Sequence, residues 1–126
     1  MYDVKLNLSH FPAQSDAEVL NITVGDLLRE VAAARPEAEA LVEVRQDGSG
    51  GQHWTYAELL KDAERLAKAL STRFVPGERV VVWSPNSPEW VLLEYASALS
   101  GLVLVTANPA FQARELDYVL EQSGAV

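Results

Sequence analysis

Three groups of side chains have types and spacing that chemistry could use. Asp47-Gly48-Ser49-Gly50-Gly51 is glycine-rich, and glycines let backbone N–H groups approach an anion closely, as phosphate-cradling loops require. No Lys-Ser or Lys-Thr follows it, no Gly-x-Gly-x-x-Gly opens a helix, and it joins two segments of alternating polarity, so its setting predicts a hairpin turn. Ser84, Asn86 and Ser87 lie where an apolar run hands over to a helix start marked by Pro88. Anions are welcome at such a place, and open α/β sheets bind ligands there; ordinary capping accounts for the same residues. His10 and His53 have no carboxylate or cysteine partner at ligand spacing, so neither a metal site nor a Ser-His-Asp relay can be assembled. Trp83, Trp90 and Tyr95 are expected in the core rather than as a stacking platform.

Periodicity gives the elements that must position these residues. Residues 1–22 carry no sustained period and contain Ser9-His10-Phe11-Pro12, which predicts an irregular arm. From Thr23, a candidate N-cap, the apolar residues Val24, Leu27, Leu28 and Val31 recur at helical spacing until Pro36. Alternation over Ala40–Arg45 and again over Gln52–Trp54 predicts the two strands of the hairpin. Thr55-Tyr56-Ala57-Glu58 has the capping-box spacing and opens an amphipathic helix expected to run to Phe74, before Pro76-Gly77.

Arg79-Val80-Val81-Val82-Trp83 is short, β-branched and almost continuously apolar, as expected of a parallel strand buried on both faces. A helix follows over Glu89–Ser100, apolar on most sides and stopped at Gly101. Leu102–Thr106 predicts a second buried strand, Ala107–Gln112 a loop, and Ala113–Ser123 a helix ended by Gly124. Strand, helix, strand, helix makes a parallel βαβα unit. Ala125-Val126 looks like the first step of a third strand, which makes the fold an expected piece of a larger domain.

Composition narrows the function classes. The chain has 126 residues, 48% hydrophobic and 22% charged, an ordinary globular balance. Its formal net charge of −8 repels polyanions and disfavours nucleic acid as a partner. The absence of cysteine excludes disulfides, thiolate metal sites and cysteine nucleophiles, and fits a cytoplasmic setting. No signal peptide or transmembrane stretch is expected. The residues alone therefore predict an acidic α/β segment with no catalytic constellation and no metal site.

Four segments in order resemble the opening of the adenylate-forming superfamily. Trp54-Thr55-Tyr56-Ala57-Glu58-Leu59 resembles its first core motif. Val75-Pro76-Gly77-Glu78-Arg79-Val80 and Ser84-Pro85-Asn86-Ser87-Pro88-Glu89-Trp90 follow, and Leu99–Val103 leads into Asn108-Pro109-Ala110-Phe111, which resembles the second core motif. With Glu115-Leu116, that last stretch is more similar to fatty-acyl-CoA synthetases than to amino-acid-activating or acetyl-CoA members. The resemblance covers residues 23–126 and implies a helix and hairpin followed by a parallel βαβα unit, forming an incomplete N-terminal portion of the large domain of an AMP-forming acyl-CoA synthetase.

That resemblance implies a parent enzyme that activates a carboxylate with ATP and Mg2+ as an acyl-adenylate and then transfers the acyl group to CoA. The family's phosphate loop, ribose aspartate, Mg2+-binding residues and mobile domain with its lysine are not matched here, so the piece by itself is expected to be inactive, with no catalytic residue and no cofactor of its own. Its expected partner is the rest of the synthetase chain. The only contact the resemblance carries over is Asn108, Pro109, Ala110 and Phe111, beside the channel for CoA. The alternative is a stand-alone binding or self-association module that uses the core surface left uncovered. A flavodoxin-like nucleotide binder is disfavoured because no phosphate loop follows the Val80 strand.

Overall fold

The computed structural model describes residues 19–45 and 47–126, so His10, Phe11 and nearly all of the expected arm lie outside the described residues. Helix α1 spans Val24–Ala34 and opens on Thr23, whose hydroxyl accepts the Asp26 N–H at 3.1 Å. That hydroxyl and then Arg29 hold the Asp26 carboxyl below the usual carboxylate range. Strands β1 (Glu39–Val44) and β2 (Gly50–Thr55) form the antiparallel hairpin. Its turn is closed locally: the Asp47 carboxylate accepts both the Ser49 N–H at 2.9 Å and the Ser49 hydroxyl at 2.6 Å. With Ser49's donors engaged in this way, the glycine-rich run is a turn and not an open anion cradle.

The hairpin is irregular for a reason visible in its side chains. Val42 lies opposite His53 but Val44 lies opposite Gly50, so β2 carries an extra residue there. The Gln52 N–H donates to a Glu43 carboxylate oxygen at 3.0 Å, and a Cβ on Gly51 would collide with that same side chain. Glycine at 51 is required by this close approach.

Helix α2 (Tyr56–Leu70) begins with a complete capping box. The Glu58 N–H donates to the Thr55 hydroxyl at 3.3 Å, while the Thr55 N–H donates to the Glu58 carboxylate at 2.9 Å. The regular helix stops short of the expected Phe74. Beyond Leu70 the hydroxyls of Ser71 and Thr72 donate to the carbonyls of Ala67 and Ala69 at 2.9 and 2.7 Å, competing with the helical ladder.

Strand β3 (Arg79–Trp83) pairs in parallel with β4 (Val103–Ala107), residue for residue from Arg79 opposite Val103 to Trp83 opposite Ala107. Helix α3 (Pro88–Leu99) makes the crossover and α4 (Ala113–Ser123) follows β4, ending on Gly124 in the left-handed region at φ 64°. The Val126 N–H donates to the Arg79 carbonyl at 3.0 Å. Because the Glu78 carbonyl accepts from Val103 on the β4 side and peptide groups alternate along a strand, Val126 lies along the edge of β3 that β4 leaves open.

Burial on both faces of β3 does not hold. Val80 and Val82 are buried, whereas Arg79 and Trp83 are exposed and Val103, opposite Arg79 on β4, is 47% exposed. Among the described residues one face of this pair is only partly covered. Trp83, expected in the core, is 49% exposed; Trp90 and Tyr95 are half-buried, and burial raises the Tyr95 phenol above its ordinary value.

The core sits where α1, α2 and α3 pack on each other and α2 meets both hairpin strands. Leu28, Trp54, Leu59 and Ala63 form its centre, with Leu92, Tyr95 and Leu99 against it. Ser97 on α3 is 1% exposed, and its hydroxyl has no hydrogen-bond partner among the described residues. A desolvated, unpaired hydroxyl costs about 1–3 kcal/mol, and alanine is the better helix former. Ser97→Ala is therefore expected to stabilise the chain by about 1 kcal/mol, seen as a melting temperature several degrees higher; a lower one would mean that the hydroxyl has a partner after all. No helix among the described residues is long and apolar enough to cross a membrane.

Candidate functional site

The C-terminal ends of β3 and β4 carry the two loops that the sequence marked. After β3, Ser87 adopts the extended conformation of an N-cap and its hydroxyl accepts the Trp90 N–H at 3.4 Å, with Pro88 at the first helical position. The Glu89 carboxyl is held below the usual range by its own backbone N–H and then the Ser87 hydroxyl. The Ser84 hydroxyl donates to the Pro85 carbonyl at 3.0 Å. Capping accounts for Ser87. Asn86 and Ser87 open onto a groove of about 460 Å³ walled on its other side by Leu41–Arg45 of the hairpin. Its carboxylate, Glu43, already accepts the Gln52 N–H.

After β4, Asn108 organises the loop. Its side-chain oxygen accepts the Ala110 N–H at 2.9 Å, and its carbonyl accepts the Phe111 N–H at 2.9 Å, which closes a tight turn around Pro109. The same carbonyl accepts the indole N–H of Trp83 at 3.1 Å, so the end of β3 is tied to the loop after β4. Asn108, Pro109 and Ala110 are exposed and Phe111 is half-buried. At the start of α4, the Gln112 N–H donates to the Glu115 carboxylate at 2.9 Å. The structure thus brings Asn108, Pro109, Ala110 and Phe111 together as one fixed, exposed turn at a strand end. This arrangement can present backbone and amide groups to a ligand; it holds no nucleophile and no base.

Two contacts escaped the sequence. His53, which had no partner at ligand spacing, lies 2.7 Å from the Glu39 carboxylate across the hairpin; the pairing of strands brings them together and no motif announces it. Trp83 was assigned to the core by residue type, and only its place at the very end of a parallel strand hinted at a reach into the next loop. Among the described residues, no three His, Asp or Glu side chains gather in one cluster.

The family described as AMP-binding enzyme matches residues 28–126. The chain is 38% identical over 118 residues to the medium-chain acyl-CoA ligase ACSF2, mitochondrial, of Rattus norvegicus, an alignment that covers 93% of this chain and 18% of that protein. The protein of the same name from Homo sapiens is 42% identical over 103 residues, with 81% of this chain and 16% of the relative covered. Among solved structures, the N-terminal domain of FACL13 from Mycobacterium tuberculosis superposes with a TM-score of 0.74 at 32% identity, over 82% of this chain and 26% of that one. The NpsA N-terminal subdomain of Klebsiella oxytoca, in complex with anthranilyl-AMSN, gives a TM-score of 0.74 at 27% identity, over 82% and 26%. The chain thus spans under a fifth of the length of these curated relatives.

Proposed function

Because the chain belongs to the AMP-binding enzyme family, we propose that it is the N-terminal portion of an ATP-dependent acyl-CoA ligase acting on a medium or long fatty acid. Residues 23–126 form part of the N-terminal subdomain. In the first step a carboxylate oxygen bonds to the α-phosphorus of ATP and pyrophosphate leaves, giving the acyl-adenylate. In the second, the CoA sulfur, having lost its proton, bonds to the acyl carbon and AMP departs. ATP, Mg2+ and CoA belong to the whole synthetase, and Mg2+ is assigned no ligand from the described residues.

The observation that carries this reading is the family match across residues 28–126, supported by the acyl-CoA ligase names of the relatives. Within it, this segment is scaffold: it shapes the sheet, and through Asn108–Phe111 it lends one contact to the CoA side. The cytoplasmic interior is the proposed setting; the mitochondrial location in the relatives' names is theirs.

Exchange of labelled pyrophosphate into ATP tests both halves. The complete synthetase carrying this segment is expected to show exchange dependent on a fatty acid and to form the acyl-CoA, whereas the 126-residue chain shows none above a blank. Exchange by the chain alone would sink the scaffold half, and a complete synthetase indifferent to every fatty acid would sink the substrate half.

A second reading is favoured by the exposed Trp83 and Val103 on the thinly covered sheet face: the chain self-associates through it. A strictly monomeric chain in sedimentation rules this out.

A further inference from the structure

We infer that Trp83 is a positioning residue: its indole N–H fixes the Asn108 carbonyl and so holds the Asn108–Phe111 turn in the shape that meets CoA. The inference rests on the reading of that turn as a CoA contact. A carbonyl oxygen has two lone pairs, and at Asn108 both are engaged, by Phe111 N at 2.9 Å and Trp83 Nε1 at 3.1 Å. The Asn108 side chain fixes Ala110 in addition, and Pro109 has its φ set by its ring. Three hydrogen bonds therefore converge on one residue of an exposed loop.

Packing does not call for the indole N–H. Trp83 is 49% exposed, and its register partner on β4, Ala107, is small and buried. What the ring supplies is a donor at the far end of a stiff side chain, reaching 25 positions along the sequence to the next strand's loop. The indole N–H ties Trp83 to the turn, and a turn ordered before binding loses less freedom when a ligand arrives.

The test is made in the complete synthetase with Trp83→Phe, and with benzothienylalanine at position 83, which keeps the bicyclic shape and replaces the N–H by sulfur. Losing one hydrogen bond is expected to raise the KM for CoA about three- to tenfold. The KM values for ATP and fatty acid, and the pyrophosphate-exchange rate, stay put. Backbone amides of Ala107, Asn108, Ala110, Phe111 and Gln112 exchange hydrogen faster in both variants. Unchanged amide exchange would overturn the inference whatever the kinetics, and so would a fall in melting temperature with every constant moved together, the mark of a purely structural role.

Asn108→Ala combined with Pro109→Gly separates the underlying reading. If this pair raises the KM for CoA and the Trp83 variants do not, Trp83 has no positioning role. If the pair leaves the KM for CoA unchanged while exchange in the Trp83 variants is faster, the turn is positioned by Trp83 and the CoA assignment of the turn is what fails.

Discussion

Leu59→Ala lowers the free energy of unfolding by about 3 kcal/mol, measured from urea midpoints at constant slope. Leu59 is 2% exposed and touches the junction where α1, α2, α3 and the hairpin meet, with Leu28, Trp54 and Ala63 around it. Removing three carbons there forfeits their transfer free energy and leaves a cavity whose walls belong to four different elements, so no single shift closes it. Against the roughly 5–15 kcal/mol that holds a domain together, that is a large fraction. A loss under about 1 kcal/mol would mean that the junction collapses freely, and that the helices and hairpin are less tightly docked than they stand here.

Trp54→Ala has an effect at least as large, about 3–5 kcal/mol, for a related but separable reason. Trp54 is 8% exposed and is the buried anchor of β2 on α2; its indole N–H donates to the Asp62 carboxylate at 3.2 Å. Trp54→Phe keeps most of the apolar contact and loses the donor. Because Asp62 retains its ion pair with Arg65 at 3.2 Å, the phenylalanine variant should cost only about 1 kcal/mol. Equal costs for the two variants would shift the weight from packing to the hydrogen bond. Since Leu59 and Trp54 share one cluster, the double alanine variant is expected to fall short of the sum.

Most of the fold was legible in the sequence because its signals are local. The Thr55–Glu58 box, the Pro88 start of α3 and the Gly124 stop of α4 each act within one turn of chain, and the structure places all three where the residue types require. The parallel pairing of β3 with β4 followed from the spacing of two apolar runs around a helix. What stayed hidden depends on how elements meet. Whether Trp83 is inside or outside is decided by what covers its face of the sheet, not by its own chemistry. The Glu39–His53 pair needs strand register. Of the candidate site, the Asn108–Phe111 turn was foreseen as a segment, and the bonds that fix its shape were not.

The Val126 N–H on the Arg79 carbonyl has a consequence for the edges of the sheet. With β4 on one side of β3 and the Val126 N–H on the other, the start of β3 is engaged along both edges. An unpaired strand edge is a template for pairing, and a bond to the Arg79 carbonyl covers one acceptor of that edge. Among the described residues β4 is the only strand paired with β3, so the rest of that edge is free to take another strand.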